Sequence, residues 1–157
     1  MIGMKIFLDT SFFVSFLRGE GRAKEIYEKI RSEELYTSLN VVEETTYILM
    51  KLKASELTGI EGHYDVIKEL KKNENVYKEC LTLSKEFFRV MLNRKIEILP
   101  ATISWSDVLD MMEKYHLLPN DALIAAICKH HGIGKIATFD EDFKRVDFLD
   151  VIEIEDK

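Results

Sequence analysis

The sequence predicts an α/β fold with a mainly parallel sheet, because short apolar segments alternate with longer segments of helical pattern along most of the chain. Two observations carry this prediction. The apolar segments have the length of strands, and the segments between them repeat apolar residues at helical spacing. Strands are predicted at residues 5–8, 35–38, 96–99, 135–139 and 151–154. In such folds, functional sites form where strands end and helices begin.

Helices are predicted between these strands. They are expected at residues 11–18, 22–33, 40–53, 104–116 and 120–131, with one or two more between 55 and 94. Asn40 is expected to be the N-cap of its helix, and Ser104 or Ser106 has the same role in a later one. Gly132 is a normal residue for the C-terminal end of the 120–131 helix.

Length and composition predict a single domain over residues 1–157, with a helical extension at about 55–94. The sequence is 46% hydrophobic and 32% charged, which is typical of a soluble globular protein. No apolar run has the length of a membrane span, so no membrane contact is expected. The first apolar segment is too short and too soon followed by polar residues for a signal peptide. Met1 or Met4 could be the true start.

Two cysteines bear on the cellular compartment. Cys80 and Cys128 lie in mostly apolar segments of helical pattern, so both are expected to be buried free thiols. Free thiols fit a reducing environment, which predicts a cytoplasmic protein.

The net charge of −6 limits how the chain can bind nucleic acid. Proteins that grip nucleic acid through a broad surface are usually basic. Chemistry on a nucleic acid would therefore depend on a local site and bound cations, or on a basic surface brought by a partner.

Four carboxylates lie at predicted junctions between strands and helices. Asp9 follows the first strand, Glu44 lies in the first turns of the helix after the second strand, Asp121 begins a helix, and Asp140 follows the fourth strand. Each alone could be a capping residue at a helix N-terminus. Together they would lie at one edge of the sheet, where unpaired carboxylates repel. Oxygen ligands of this kind suit Mg²⁺ or Mn²⁺.

Helix phase separates Glu44 from its neighbour Glu43. The buried stripe of their helix is predicted to be centred on Val41, Thr45, Ile48 and Leu52. At 3.6 residues per turn, Glu44 lies on the flank of this stripe and Glu43 points towards solvent. Glu44 is therefore the better candidate ligand.

Asp121 is the acid that is hardest to explain as merely structural. The helix that it begins is apolar nearly all round from Ala122 to Cys128, so the helix is expected to be packed inside the domain. A carboxylate at its start is then partly enclosed, where a charge needs a partner.

Four ordered motifs resemble one known family. They are Phe-Leu-Asp-Thr-Ser at 7–11, Tyr-Thr-Ser at 36–38 with Glu44 six residues on, Asn-Asp-Ala-Leu-Ile-Ala-Ala at 120–126, and Ala-Thr-Phe-Asp-Glu-Asp-Phe at 137–143. Their order and spacing resemble the PIN domain, and most closely the VapC-type toxins of toxin–antitoxin pairs. Residues 55–94 look longer and more helical than in the shortest family members.

This resemblance implies a parallel sheet of four or five strands with helices on both faces, and Mg²⁺- or Mn²⁺-dependent hydrolysis of RNA phosphodiester bonds. It assigns metal binding and catalysis to the acidic quartet Asp9, Glu44, Asp121 and Asp140. It assigns supporting roles to Thr10, Ser11, Thr138 and Asp142. It also implies an RNA substrate, a cognate antitoxin protein and a homodimer.

Other classes of protein fit less well. A phosphatase of the haloacid-dehalogenase class needs a second acid two residues after Asp9, where this chain has Ser11. A phospho-receiver domain needs paired acids early in the chain, and the order here is different. A catalytically weak PIN-fold scaffold and a stand-alone RNA-processing nuclease remain open. The RNA target, its sequence preference and the number of ions are not predicted.

Overall fold

The sheet is parallel and five-stranded, with the order β3-β2-β1-β4-β5, in a computed structural model that describes residues 3–153. The strands are β1 (Lys5–Leu8), β2 (Glu34–Ser38), β3 (Glu97–Leu99), β4 (Lys135–Ala137) and β5 (Asp150–Val151). The predicted α/β class with a mainly parallel sheet is confirmed. The fifth strand, predicted at 151–154, is shorter and ends at Val151, and Ile154 of the prediction lies outside the described residues.

The helices alternate with the strands as predicted. They are α1 (Thr10–Leu17), α2 (Gly21–Ile30), α3 (Leu39–Thr58), α4 (His63–Lys72), α5 (Glu74–Asn93), α6 (Trp105–Tyr115) and α7 (Pro119–His130), followed by a 3₁₀ helix (Glu141–Arg145). Among the described residues, no helix is both long enough and apolar enough to cross a membrane.

Strand β1 lies at the centre of the sheet and sets the position of the first acid. Its residues Ile6, Phe7 and Leu8 are buried, as expected for a strand covered on both faces. Leu8 is in register with Ala137 of β4, and both strands end there. The residues that follow, Asp9 and Thr138, therefore emerge side by side at the carboxyl edge of the sheet.

Helix α7 is buried around most of its circumference, as its apolar sequence predicts. Its residues Ala122 and Ile124–Cys128 are buried. The helix ends in a Schellman motif, in which the Ile133 amide donates to the Cys128 carbonyl and the Gly132 amide to the Lys129 carbonyl. Gly132 has φ +67°, a conformation that glycine adopts without steric cost.

By contact density the chain divides into two units. One comprises the described parts of Met1–Val42 and Ile96–Lys157, and the other is Glu43–Lys95. In the second unit, a core cluster is formed by Ala54, Val66, Leu70, Val76 and Cys80. The segment 55–94 thus contains two complete helices, α4 and α5. Both cysteines are buried and free, as predicted.

Some predicted boundaries were wrong. Helix α3 begins at Leu39, so Asn40 is inside its first turn and is not the N-cap. Its buried positions include Val41, Thr45 and Leu49, whereas Leu52, predicted on the buried stripe, is 44% exposed. At 100° per residue, Leu52 lies only about 20° from Val41 around the helix, so its exposure reflects what packs at that turn and not the phase of the helix.

Strand β4 ends at Ala137, two residues before its predicted end. The reason is that Thr138 uses its side chain locally. Its hydroxyl accepts from the Asp140 amide, which turns the chain out of the sheet.

Candidate metal centre

Asp9 is held at the end of β1 by both its backbone and its side chain. Its amide donates to the Ala137 carbonyl at 3.1 Å. Its carboxylate oxygen Oδ2 accepts from the hydroxyl of Thr138 at 2.7 Å and from that of Ser11 at 3.3 Å. The residue is only 6% exposed. A buried carboxylate with two hydroxyl donors is oriented and stabilised as an anion.

The two hydroxyls join three segments of the chain. Ser11 Oγ accepts from the Phe139 amide at 2.9 Å, and Thr138 Oγ1 accepts from the Asp140 amide at 3.0 Å. Because each hydroxyl accepts from a backbone amide, its single proton is directed towards the carboxylate or towards the other hydroxyl, 3.1 Å away. The supporting roles predicted for Ser11 and Thr138 agree with this arrangement.

Three further acids cluster in the same unit. Carboxylate oxygens of Asp121, Asp140 and Asp142 all lie within 4.8 Å of one another. Asp121 comes from the first turn of α7, while Asp140 caps the 3₁₀ helix by accepting from the Asp142 amide. The fold therefore brings together acids that are about twenty residues apart in sequence.

Asp142 differs from the other two acids because it has a cationic partner. Arg145 Nη2 donates to its Oδ1 at 2.8 Å, and Arg145 Nη1 donates to the His116 carbonyl at 2.7 Å. An acid already neutralised by a guanidinium is less available to a metal ion. The supporting role predicted for Asp142 stays a prediction, since its carboxylate is also one of the three that cluster here.

The electrostatic strain of the cluster is concentrated on Asp121. Burial raises the pKa of its carboxyl to about 7, with further contributions from the charges of Asp140, Asp9 and Asp142 and from a hydrogen bond with Asp140. A carboxylate at a helix N-terminus would ordinarily be stabilised by the dipole. Here desolvation and like charge outweigh that benefit, which leaves a site that favours a cation.

The donor set fits a hard divalent ion. Asp121, Asp140 and Asp142 offer clustered carboxylate oxygens, and the charge of Asp9 also acts on Asp121, where it helps burial and Asp140 to raise the pKa. Oxygen ligands without sulfur or imidazole are typical of Mg²⁺ and Mn²⁺ sites.

The roles of all the predicted site residues stay predictions, and for Glu44 and Thr10 the structure gives only their positions. Glu44 lies in the second turn of α3 and is half-buried, while Glu43 is exposed as helix phase predicted. Thr10 is buried in the first turn of α1. Their predicted roles rest on the motifs of the sequence.

The sequence interpretation did not identify one contact beside the centre. Asn40 Nδ2 donates to Asn120 Oδ1 at 3.0 Å, and the Ser38 hydroxyl donates to Asn40 Oδ1. This chain of side chains connects the end of β2 to the residue before Asp121. The sequence offered only a polar residue at each predicted helix start, and for Asn40 it predicted the role of N-cap.

We predict that Thr138→Val weakens metal binding by about 10- to 100-fold, because the Asp9 carboxylate loses its shorter hydrogen bond. Stability should fall by about 1–3 kcal/mol. Thr37→Val is the matched control, since the buried Thr37 hydroxyl donates to the Leu8 carbonyl instead. Calorimetric titration with Mn²⁺ and urea unfolding measure the two effects. Equal losses of metal affinity in the two variants would contradict the role given to Thr138.

A parallel α/β sheet with clustered acids at its carboxyl edge is typical of metal-dependent hydrolases. Comparison with known proteins identifies the family. The family model of the PIN domain matches residues 6–149. Ribonuclease VapC2 of Methanocaldococcus jannaschii is 35% identical over 153 residues, which are 96% of this chain and 94% of the relative.

Solved structures show the same fold. VapC20 of Mycobacterium tuberculosis, described as a toxin that cleaves the sarcin-ricin loop, superposes with a TM-score of 0.59 at 18% identity, covering 91% of this chain and 95% of that one. The VapBC2 structure of Rickettsia felis, bound to a promoter DNA fragment, has a chain with a TM-score of 0.59 at 17% identity, covering 96% and 100%. The chain belongs to the PIN-domain family, whose nucleases depend on divalent metal ions, and it is a ribonuclease.

Proposed function

We propose that this ribonuclease cleaves RNA with Mg²⁺ or Mn²⁺ held by Asp9, Asp121 and Asp140, with Glu44 as a further ligand. The observation that carries the proposal is the convergence of acids on Asp121, whose carboxyl has a pKa raised to about 7 by burial and like charge. A divalent cation relieves that repulsion and gives the buried charges a function.

In the proposed mechanism, the carboxylates of the chain hold the ion and orient the reacting groups. The bound ion would polarise the scissile phosphate and lower the pKa of a water molecule. Asp9 is fixed by Thr138 and Ser11, so its carboxylate is oriented before substrate arrives. Asp140, at the start of the 3₁₀ helix, and Glu44 would orient the attacking water or hold a second ion. By analogy with the family, attack in line would leave a 5′-phosphate and a 3′-hydroxyl.

We also propose that the chain is the toxin of a toxin–antitoxin pair. The relative named VapC2 and the VapBC2 structure support this proposal. The net charge of −6 gives it a physical rationale, since a partner can supply the basic surface that this chain lacks. A homodimer and a cytoplasmic location are proposed with it, the latter because both cysteines are free.

The test is cleavage of a labelled RNA pool by the purified chain. Cleavage should stop with a chelator and return when Mg²⁺ or Mn²⁺ is added in excess. Glu44→Gln should lower the rate at saturating metal, whereas Glu43→Gln, a change of the same chemistry on the exposed side of the helix, should not. Cleavage that persists in the chelator would overturn the proposed mechanism. Metal binding without any cleavage would favour the scaffold alternative.

A further inference from the structure

A cavity of about 200 Å³ lies next to the metal centre within the first unit. Asp140 and Thr138 form part of its lining, so the cavity adjoins the acids described above. Arg22 and Ile26 of α2 also line it. A cavity beside the reacting phosphate is where a neighbouring part of a substrate strand would lie.

The cations around this cavity are not equivalent. Lys144 Nζ lies 2.8 Å from Glu141 Oε2 and 3.1 Å from Glu153 Oε1, so its charge is already compensated by two carboxylates. Arg22 is exposed, and its guanidinium forms no ion pair or hydrogen bond with any residue in the described range 3–153. Its guanidinium is therefore available to an anion that enters the cavity.

The wall that carries Arg22 is held in place. Lys29, two turns further along α2, donates from Nζ to the Glu153 carbonyl at 2.8 Å. Ile26, between them, is buried. Since helix positions three and four apart share a face, this contact fixes the face on which Arg22 lies. A guanidinium on an anchored helix face is a better ligand than one on a mobile loop.

We propose that Arg22 binds a phosphate of the RNA strand adjacent to the scissile phosphate. This inference rests on the proposed function. A guanidinium matches the geometry of a phosphate and can donate two parallel hydrogen bonds to it. The half-buried apolar side chains of Phe139 and Val151 offer a surface for ribose carbons in the same cavity. The carboxylates that also line the cavity repel an anion with several negative charges more strongly than a phosphodiester, which has one. They therefore favour a diester.

The test compares three proteins on a random-sequence RNA pool with Mn²⁺. Arg22→Gln should lower kcat/KM by about 10-fold, mainly through KM, because one charge-assisted contact is lost. The slope of log binding against log salt should become less steep by about 0.7, as expected for one phosphate contact to a single strand. Lys24→Gln removes the same charge from α2 at a position outside the cavity lining and is the matched control.

A titration with Mn²⁺ alone separates this inference from the proposed function. Arg22→Gln should bind Mn²⁺ as the wild type does, because Arg22 touches no proposed ligand. Unchanged RNA kinetics in Arg22→Gln, or an equal loss in Lys24→Gln, would overturn the assignment of Arg22 alone. A wild-type protein that binds Mn²⁺ but leaves RNA intact would overturn the proposed function and this inference with it.

Discussion

Asp121→Asn is expected to lower metal-dependent RNA cleavage by about 10²- to 10³-fold, because the amide cannot replace a charged ligand and the ion supplies several kcal/mol of transition-state stabilisation. The fold should be retained, since Asn has nearly the same volume and α7 is held by its buried apolar residues. The measurement is the initial rate of cleavage at saturating Mn²⁺, together with far-ultraviolet circular dichroism.

Asp107→Asn provides a close control for this prediction. Asp107 is the third residue of α6, as Asp121 is the third residue of α7, but Asp107 is exposed. Its substitution removes a carboxylate from an equivalent helix position and should leave cleavage unchanged. An Asp121→Asn variant with wild-type activity would contradict the metal role of Asp121.

The same substitution is expected to stabilise the metal-free protein at alkaline pH. Burial and like charge raise the pKa of Asp121 from 3.8 to about 7 in the folded state. Between these values the folded state holds a proton that the unfolded state has lost, so the free energy of unfolding falls as the pH rises through this range. Asparagine has no proton to lose, so the variant escapes this decline.

The size of the effect is modest because Asp121 is half-buried and solvent screens part of the repulsion. We expect Asp121→Asn to exceed the wild type by about 1–2 kcal/mol at pH 8 in a chelator, and to match it near pH 4. Urea unfolding at both pH values measures this difference. Asp107→Asn should instead lose about 0.3–1 kcal/mol, because it removes only a favourable charge at a helix N-terminus. A wild type more stable than Asp121→Asn at pH 8 would contradict the electrostatic account.

At a functional site, one substitution is expected to lower activity and raise stability, as we predict for Asp121→Asn. A buried cluster of like charges is costly without its ligand, and such a cost is characteristic of functional sites. The contrast with Asp107, which occupies the same helix position on the surface, isolates the contribution of the cluster from that of helix capping.

Much of the fold was predictable because local pattern and tertiary position agree. The apolar segment before Asp9 forms β1, and the apolar run after Asp121 forms a buried helix, as their patterns indicate. Boundaries were less predictable where side chains compete with backbone pairing. Strand β4 stops early because the Thr138 hydroxyl binds the Asp140 amide, a preference that periodicity does not reveal.

The site was predictable to the extent that strand ends mark it. Asp9 and Asp140 follow adjacent parallel strands, so topology alone places them at one edge. Contacts between distant segments were not predictable in this way. The pairing of Asn40 with Asn120 joins residues 80 apart in sequence, and neither residue has a pattern that specifies the other. The place of Arg22 beside the cavity likewise depends on how α2 packs against the end of β5.

The most direct test of the central claim, that these acids hold a divalent metal ion, is anomalous diffraction from crystals soaked in Mn²⁺. We expect an anomalous peak within coordination distance of carboxylate oxygens of Asp9, Asp121 and Asp140, and the same map shows whether Glu44 is a ligand. A well-ordered site without a peak, or a peak found only at exposed acids such as Asp107, would contradict it.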